Sequence, residues 1–143
     1  LGLRPSFKQQ QAYHRGVRMV MEEQAARGGI VLVGRAGQVI LKDHDDVMHV
    51  RVVAPLALRI ERVAARQRIP TSAARAQVKT SDRTRRTYLR RYYHVDYNDV
   101  SLYDLVINTR SLTVEASTSI LIEAWSRHCS LHARERNSPV ERP

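Results

Sequence analysis

Apolar residues recur at helical spacing near the start of the chain. Tyr13, Val17, Val20, Met21 and Gln24 predict an amphipathic helix over residues 8–27, stopped by Gly28 and Gly29, which readily take a left-handed cap. Ile30-Val31-Leu32-Val33 is apolar throughout, the pattern of a parallel strand covered on both faces. Val39-Ile40-Leu41 is a further apolar piece, strand or helix. Beyond a polar turn at His44-Asp45-Asp46, residues 47–53 predict a second strand. Pro55 then opens a helix at the position where its missing donor costs nothing, and Leu56, Ile60, Val63 and Ala64 form its buried stripe.

Pro70-Thr71-Ser72 restarts the chain as another helix capped by Thr71 or Ser72. Thr80-Ser81-Asp82, all good cap residues, predict a break, with a second piece ending near Tyr93. Residues 103–108 predict a third strand, and Thr113 caps a last helix to about Arg127. Residues 131–143 are polar and contain proline, which predicts a disordered tail. Strands alternating with helices imply an α/β layered fold with a mainly parallel sheet, one domain over residues 1–130.

Composition adds three constraints. At 43% hydrophobic residues the chain is globular in character rather than disordered. The single cysteine, Cys129, excludes an internal disulfide and fits a reducing compartment. No apolar run approaches the roughly 18 residues that cross a bilayer, so no membrane role is expected and a cytoplasmic protein is. The chain opens on Leu1 at the approach to a helix, which predicts that its natural amino terminus lies elsewhere.

Charge is the fourth and most informative feature. Twenty-four Lys and Arg against fourteen Asp and Glu leave a formal charge of +10, nearly all of it arginine. Arginine's planar fork matches phosphate oxygens two at a time, so clusters of it point to phosphate ligands. Gly34-Arg35-Ala36-Gly37 follows an apolar strand at the edge where open α/β sheets bind ligands. There Arg35 faces the crevice, or the tetrapeptide is a plain turn with Arg35 solvated. Between Asp82 and Tyr93 five of twelve residues are arginine. Arg83, Arg86 and Arg90 fall within about 60° on a helix. They form a phosphate-gripping stripe, or a solvated face paired with Asp82, Asp96 or Asp99. His128-Cys129 with His132 lacks a second cysteine pair and reads as a helix end rather than a metal site.

Taken in order, these segments resemble the cytidylate kinase-like family. The resemblance rests on Gly29-Ile-Val-Leu-Val-Gly-Arg-Ala-Gly-Gln-Val-Ile-Leu, Val47-Met-His-Val-Arg-Val-Val-Ala-Pro-Leu, the Asp82–Tyr93 segment, Tyr103-Asp-Leu-Val-Ile-Asn-Thr and Leu112-Thr-Val-Glu. It spans roughly Tyr13 to Trp125. It implies a P-loop nucleoside monophosphate kinase fold, truncated at the amino terminus, with a lid over about residues 70–93. It also implies transfer of the terminal phosphoryl group of ATP, with Mg2+, to a nucleoside monophosphate such as CMP or dCMP.

By the same resemblance Arg35, with Gly34, faces the acceptor nucleotide; the arginine helix is expected to bring Arg83 and Arg86 into the same cleft, with Arg90 near its rim. Asp82, Arg83 and Arg86 belong to the lid that stabilises the transferring group. Asn108, Thr109 and Arg110 pass the adenine of ATP. Two departures stand out. Ala36 occupies the position of the family's nucleoside-recognising aspartate. No Gly-x-x-x-x-Gly-Lys-Ser/Thr, whose amides and lysine cradle the β and γ phosphates, occurs anywhere in the sequence. The chain alone is therefore expected to be inactive, and the alternative is a non-catalytic module whose arginine helix binds a nucleotide or nucleic acid. In the family's fold the P-loop strand separates the strands matching Ile30–Val33 and Val47–Val53. Here those two are expected to close up and pair directly, which needs no partner, or else a segment of another chain fills the slot.

Overall fold

A computed structural model describes residues 6–137. The chain divides into two compact units, residues 1–47 and 48–143.

In the first unit, α1 (Phe7–Arg27) starts at a reciprocal cap. The Ser6 hydroxyl accepts from the Gln9 amide, and the Gln9 side chain accepts from the Ser6 amide at 2.7 Å. Gly28 (φ 68°) and Gly29 (φ 64°) end the helix at positive φ, where glycine is favoured, though Gly28 with ψ −179° does not adopt the left-handed cap that the sequence predicts. Ile30–Val33, expected as a buried strand, has no regular structure, and Val31 and Val33 are each 87% exposed. The expected pairing of this segment with the next strand is therefore not formed. Val39 and Ile40 resolve as helix, in the single turn α2 (Gly37–Ile40), and α2 packs on α1. Met21, Ala25, Ala36, Ile40 and Leu41 are buried. Gly37 permits that packing: a Cβ there would stand 3.3 Å from Met21 Cε.

The second unit contains β1 (Val50–Val53), α3 (Leu56–Gln67), α4 (Thr71–Tyr93), β2 (Leu105–Asn108) and α5 (Val114–Asn137). β1 and β2 pair in parallel, Val50 beside Leu105 through Val53 beside Asn108. A parallel pair needs a crossover, and α3 and α4 supply it. They pack on each other through Ile60, Ala74 and Val78, with Val63, Ala64 and Ile69 around them. This is the α/β architecture expected, although both strands are shorter than the apolar runs that predicted them.

Three helix boundaries differ from expectation. Pro70 is the cap of α4 and offers no side-chain bond, so neither Thr71 nor Ser72 caps it. α4 runs unbroken through Thr80-Ser81-Asp82. α5 begins where predicted, with the Thr113 hydroxyl accepting from the Ala116 amide at 3.1 Å, but it continues to Asn137. Residues 131–137 of the expected tail are thus helical, and 138–143 lie outside the described residues. The hydroxyls of Ser117, Thr118 and Ser119 bond back to carbonyls one turn earlier, so each hydroxyl is satisfied within α5. Among the described residues no helix is long and apolar enough to cross a membrane.

Arg51 of β1 fastens the loop after α4. Its guanidinium lies 4.3 Å from the centre of the Tyr97 ring and 5.5 Å from that of Tyr103. It also donates to the Tyr97 carbonyl and the Asn98 side chain, each at 3.0 Å. Held between rings, the charge keeps a favourable environment without a carboxylate.

Candidate functional site

The centre of the second unit's charged surface is an ion pair between α3 and α4. Arg59 donates through both terminal nitrogens to the two oxygens of Asp82, each at 2.8 Å, and through Nε to the Ala54 carbonyl at 3.1 Å. Both side chains are about two-thirds or more shielded from solvent. The hydrogen bonds from Arg59 hold the Asp82 carboxyl below its ordinary range, helped by the charges of Arg59, Arg85 and Arg86. The same bonds raise Arg59. Arg85 adds a longer contact to Asp82 at 3.5 Å and lies over the Tyr97 ring.

Beside this pair, Arg59, Arg62, Arg66, Asp82 and Arg85 line an open groove of about 570 Å³. Arg62 also donates to the Thr109 hydroxyl at 2.9 Å and to its carbonyl at 2.8 Å. The Thr109 amide in turn donates to the Val53 carbonyl at 2.8 Å, so the loop after β2 is tied to both strand and helix. Asn108 accepts from the Arg110 amide at 3.0 Å. Sequence reading missed Arg59, Arg62, Arg66 and Arg85. The first three repeat the i, i+3, i+7 spacing of Arg83, Arg86 and Arg90, which could have flagged them.

Arg83, Arg86 and Arg90 are exposed, and none takes part in an ion pair among the described residues. Arg86 makes a long bond from Nε to the Asp82 carbonyl at 3.4 Å. Of the carboxylates considered as partners for this segment, only Asp82 serves as one, for Arg85 and not for the stripe. Tyr88, Tyr92 and Tyr93 cluster at the end of α4, with ring centres 5.3 and 5.8 Å from Tyr88.

Arg35 belongs to the first unit. Gly34, Arg35 and Ala36 have φ of 79°, 55° and 62°, three successive left-handed residues, two of them carrying a Cβ. Such backbone costs about 1–3 kcal/mol per strained residue and clusters at ligand sites. Arg35 donates to the Tyr13 hydroxyl at 2.8 Å, so α1 fixes the direction of its guanidinium. Among the described residues no three His, Cys, Asp or Glu side chains gather as a metal cluster.

The family model described as the cytidylate kinase-like family matches residues 4–111. A cytidylate kinase from Staphylothermus marinus is 35% identical over 101 residues, 71% of this chain and 56% of that protein. Another from Desulfurococcus amylolyticus is 36% identical over 104 residues, 73% of this chain and 56% of that protein. A uronate isomerase from Corynebacterium glutamicum is 34% identical over 110 residues, which span 77% of this chain but 21% of the isomerase. The chain thus spans about half the length of the kinases it matches, and less of the isomerase. In structure it is similar to an uncharacterized protein from Eubacterium ventriosum, with TM-score 0.75 at 21% identity over 81% of this chain and 73% of that one. That likeness concerns the fold.

Proposed function

The chain belongs to the cytidylate kinase-like family, and from that membership we propose that the intact protein is a nucleoside monophosphate kinase-like phosphotransferase, moving the terminal phosphoryl group of ATP to a CMP- or dCMP-type acceptor. One observation carries the reading. Within the matched residues, Asp82 is clamped by Arg59 while Arg83 and Arg86 of the same turn are exposed and make no ion pair among the described residues. A transferring phosphoryl group spreads charge over its oxygens, and donors already in place stabilise that charge without reorganising. Arg83 and Arg86 are the donors, Asp82 sets their helix turn, and Arg90 extends the array. Arg35, aimed by Tyr13, holds the acceptor phosphate beside Gly34. The loop Asn108–Arg110, steadied by Arg62, passes the donor base.

Among the described residues no three His, Cys, Asp or Glu gather into an all-protein metal cage, and the sequence has no loop for the β and γ phosphates. The reaction needs that loop from residues other than these. For that reason the 143-residue chain alone is expected to show no turnover of CMP, dCMP or UMP in the kinase range of about 1–100 per second. The lone, exposed Cys129 suits a cytoplasmic enzyme.

The test is Arg86→Ala in the intact protein. Turnover should fall about 10²–10³-fold, with the Michaelis constant for the acceptor nearly unchanged. A raised Michaelis constant at unchanged turnover would make Arg86 a ground-state contact and defeat the lid assignment.

A further inference from the structure

The charge on α4 extends beyond what a mononucleotide reaction uses. Seven of the chain's basic residues lie on this helix against one acid, Asp82, and that acid is already engaged by Arg59 and Arg85. Arg75, Lys79, Arg83, Arg86 and Arg90 succeed one another at helical steps of four, four, three and four residues. They fall within about 80° of one another and span about 22 Å along the axis. All five are exposed, and none has an ion-pair partner among the described residues. Such a row makes an uncompensated positive field along one line.

We infer that this stripe is a binding surface for the phosphate backbone of single-stranded nucleic acid. Three features select that ligand class. A triphosphate is too short to meet Arg75 and Arg90 together, whereas an extended strand offers one charge per nucleotide at steps close to a helical turn. α4 has no large exposed apolar residue, and a helix that lies on a lipid surface needs an apolar face beside its cations. Its contacts are exposed single charges, which meet phosphates and not base edges, so it tracks the backbone and is indifferent to sequence, although Arg75 also borders an open groove with Glu61 of α3.

The experiment is fluorescence anisotropy of a labelled oligothymidylate of about twenty nucleotides with the 143-residue chain across a salt series. Five phosphate contacts give a slope of log affinity against log salt near −3.5, at about 0.7 per contact on a single strand. Arg75→Ala and Lys79→Ala each make the slope shallower by about 0.7. Arg127→Ala removes the same charge from an ion pair on α5 and leaves the slope unchanged. Three results overturn the inference: no binding at low salt, an equal change from Arg127→Ala, or displacement of the oligonucleotide by an equimolar nucleoside triphosphate. Loss of binding here leaves the kinase reading standing, since Arg75 and Lys79 take no part in it.

Discussion

Asp82 illustrates how a residue visible in the sequence acquires its role only from a distant partner. Its position among arginines marks it as part of a charged segment, yet its actual partner, Arg59, lies 23 residues earlier. Arg62 and Thr109 are 47 apart, and no local spacing joins them. The sequence made Arg83, Arg86 and Arg90 legible because their relation is helical and local. The clamp beside them depends on how α3 crosses α4. Its strength can be measured. The Asp82 carboxyl is held below its ordinary value, so its contribution to stability is complete above about pH 3.9 and is lost as pH falls through the lower folded value. Asp82→Asn should therefore cost about 1.5 kcal/mol at pH 7, the low end for charged hydrogen bonds because Arg59 is a third exposed. The difference from the parent should shrink below pH 4 in urea melts. A deficit that persists undiminished at acid pH would assign the loss to packing and not to the charge.

At the scale of elements, cap residues misled where their side chains had better partners. Thr80-Ser81-Asp82 has the composition of a helix break, but Asp82 spends its carboxylate on Arg59 instead of on its own backbone. Val78 on one side and Leu89 on the other are both buried, and they hold the turns between them in register. The reverse occurs where α3 and α4 end. Arg68 and His94 adopt φ of 54° and 56°, the left-handed cap conformation, without being glycine. An L-residue there loses about 1–2 kcal/mol, and glycine returns part of that as unfolded-chain entropy. Arg68→Gly and His94→Gly should each stabilise the chain by about 0.5–1 kcal/mol, read as a higher urea midpoint at constant slope. Destabilisation by either would mean that the native side chain makes a contact worth more than its backbone strain.

At the scale of the whole molecule, the alternation of apolar runs and helical stripes correctly indicated a parallel α/β architecture, and two of three expected strands exist. The third failed for a reason that periodicity does not contain. A strand is stable through its neighbours, and an apolar run without a ladder partner has nothing to satisfy its backbone but water. Ile30–Val33 has the composition of a covered strand, yet Val31 and Val33 stand 87% exposed. Direct pairing with Val50–Val53 was expected from the same need for partners, and it does not occur because the segment forms no strand at all. Hydrogen exchange discriminates these states amide by amide. The amides of Leu105 and Thr109 donate to the carbonyls of His49 and Val53 and should be protected. Those of Ile30–Val33 should exchange nearly as fast as an unfolded chain. Val31→Asp and Val33→Asp should accordingly change the stability of the 143-residue chain by less than about 0.5 kcal/mol, whereas Ile107→Ala, at a residue 4% exposed, should cost about 2–5 kcal/mol. Protection of Ile30–Val33 equal to that of Leu105 would show that the segment has found a ladder partner. In any longer chain that carries a phosphate-loop strand to serve as that partner, the same four amides should become slow and Val33→Asp should become costly.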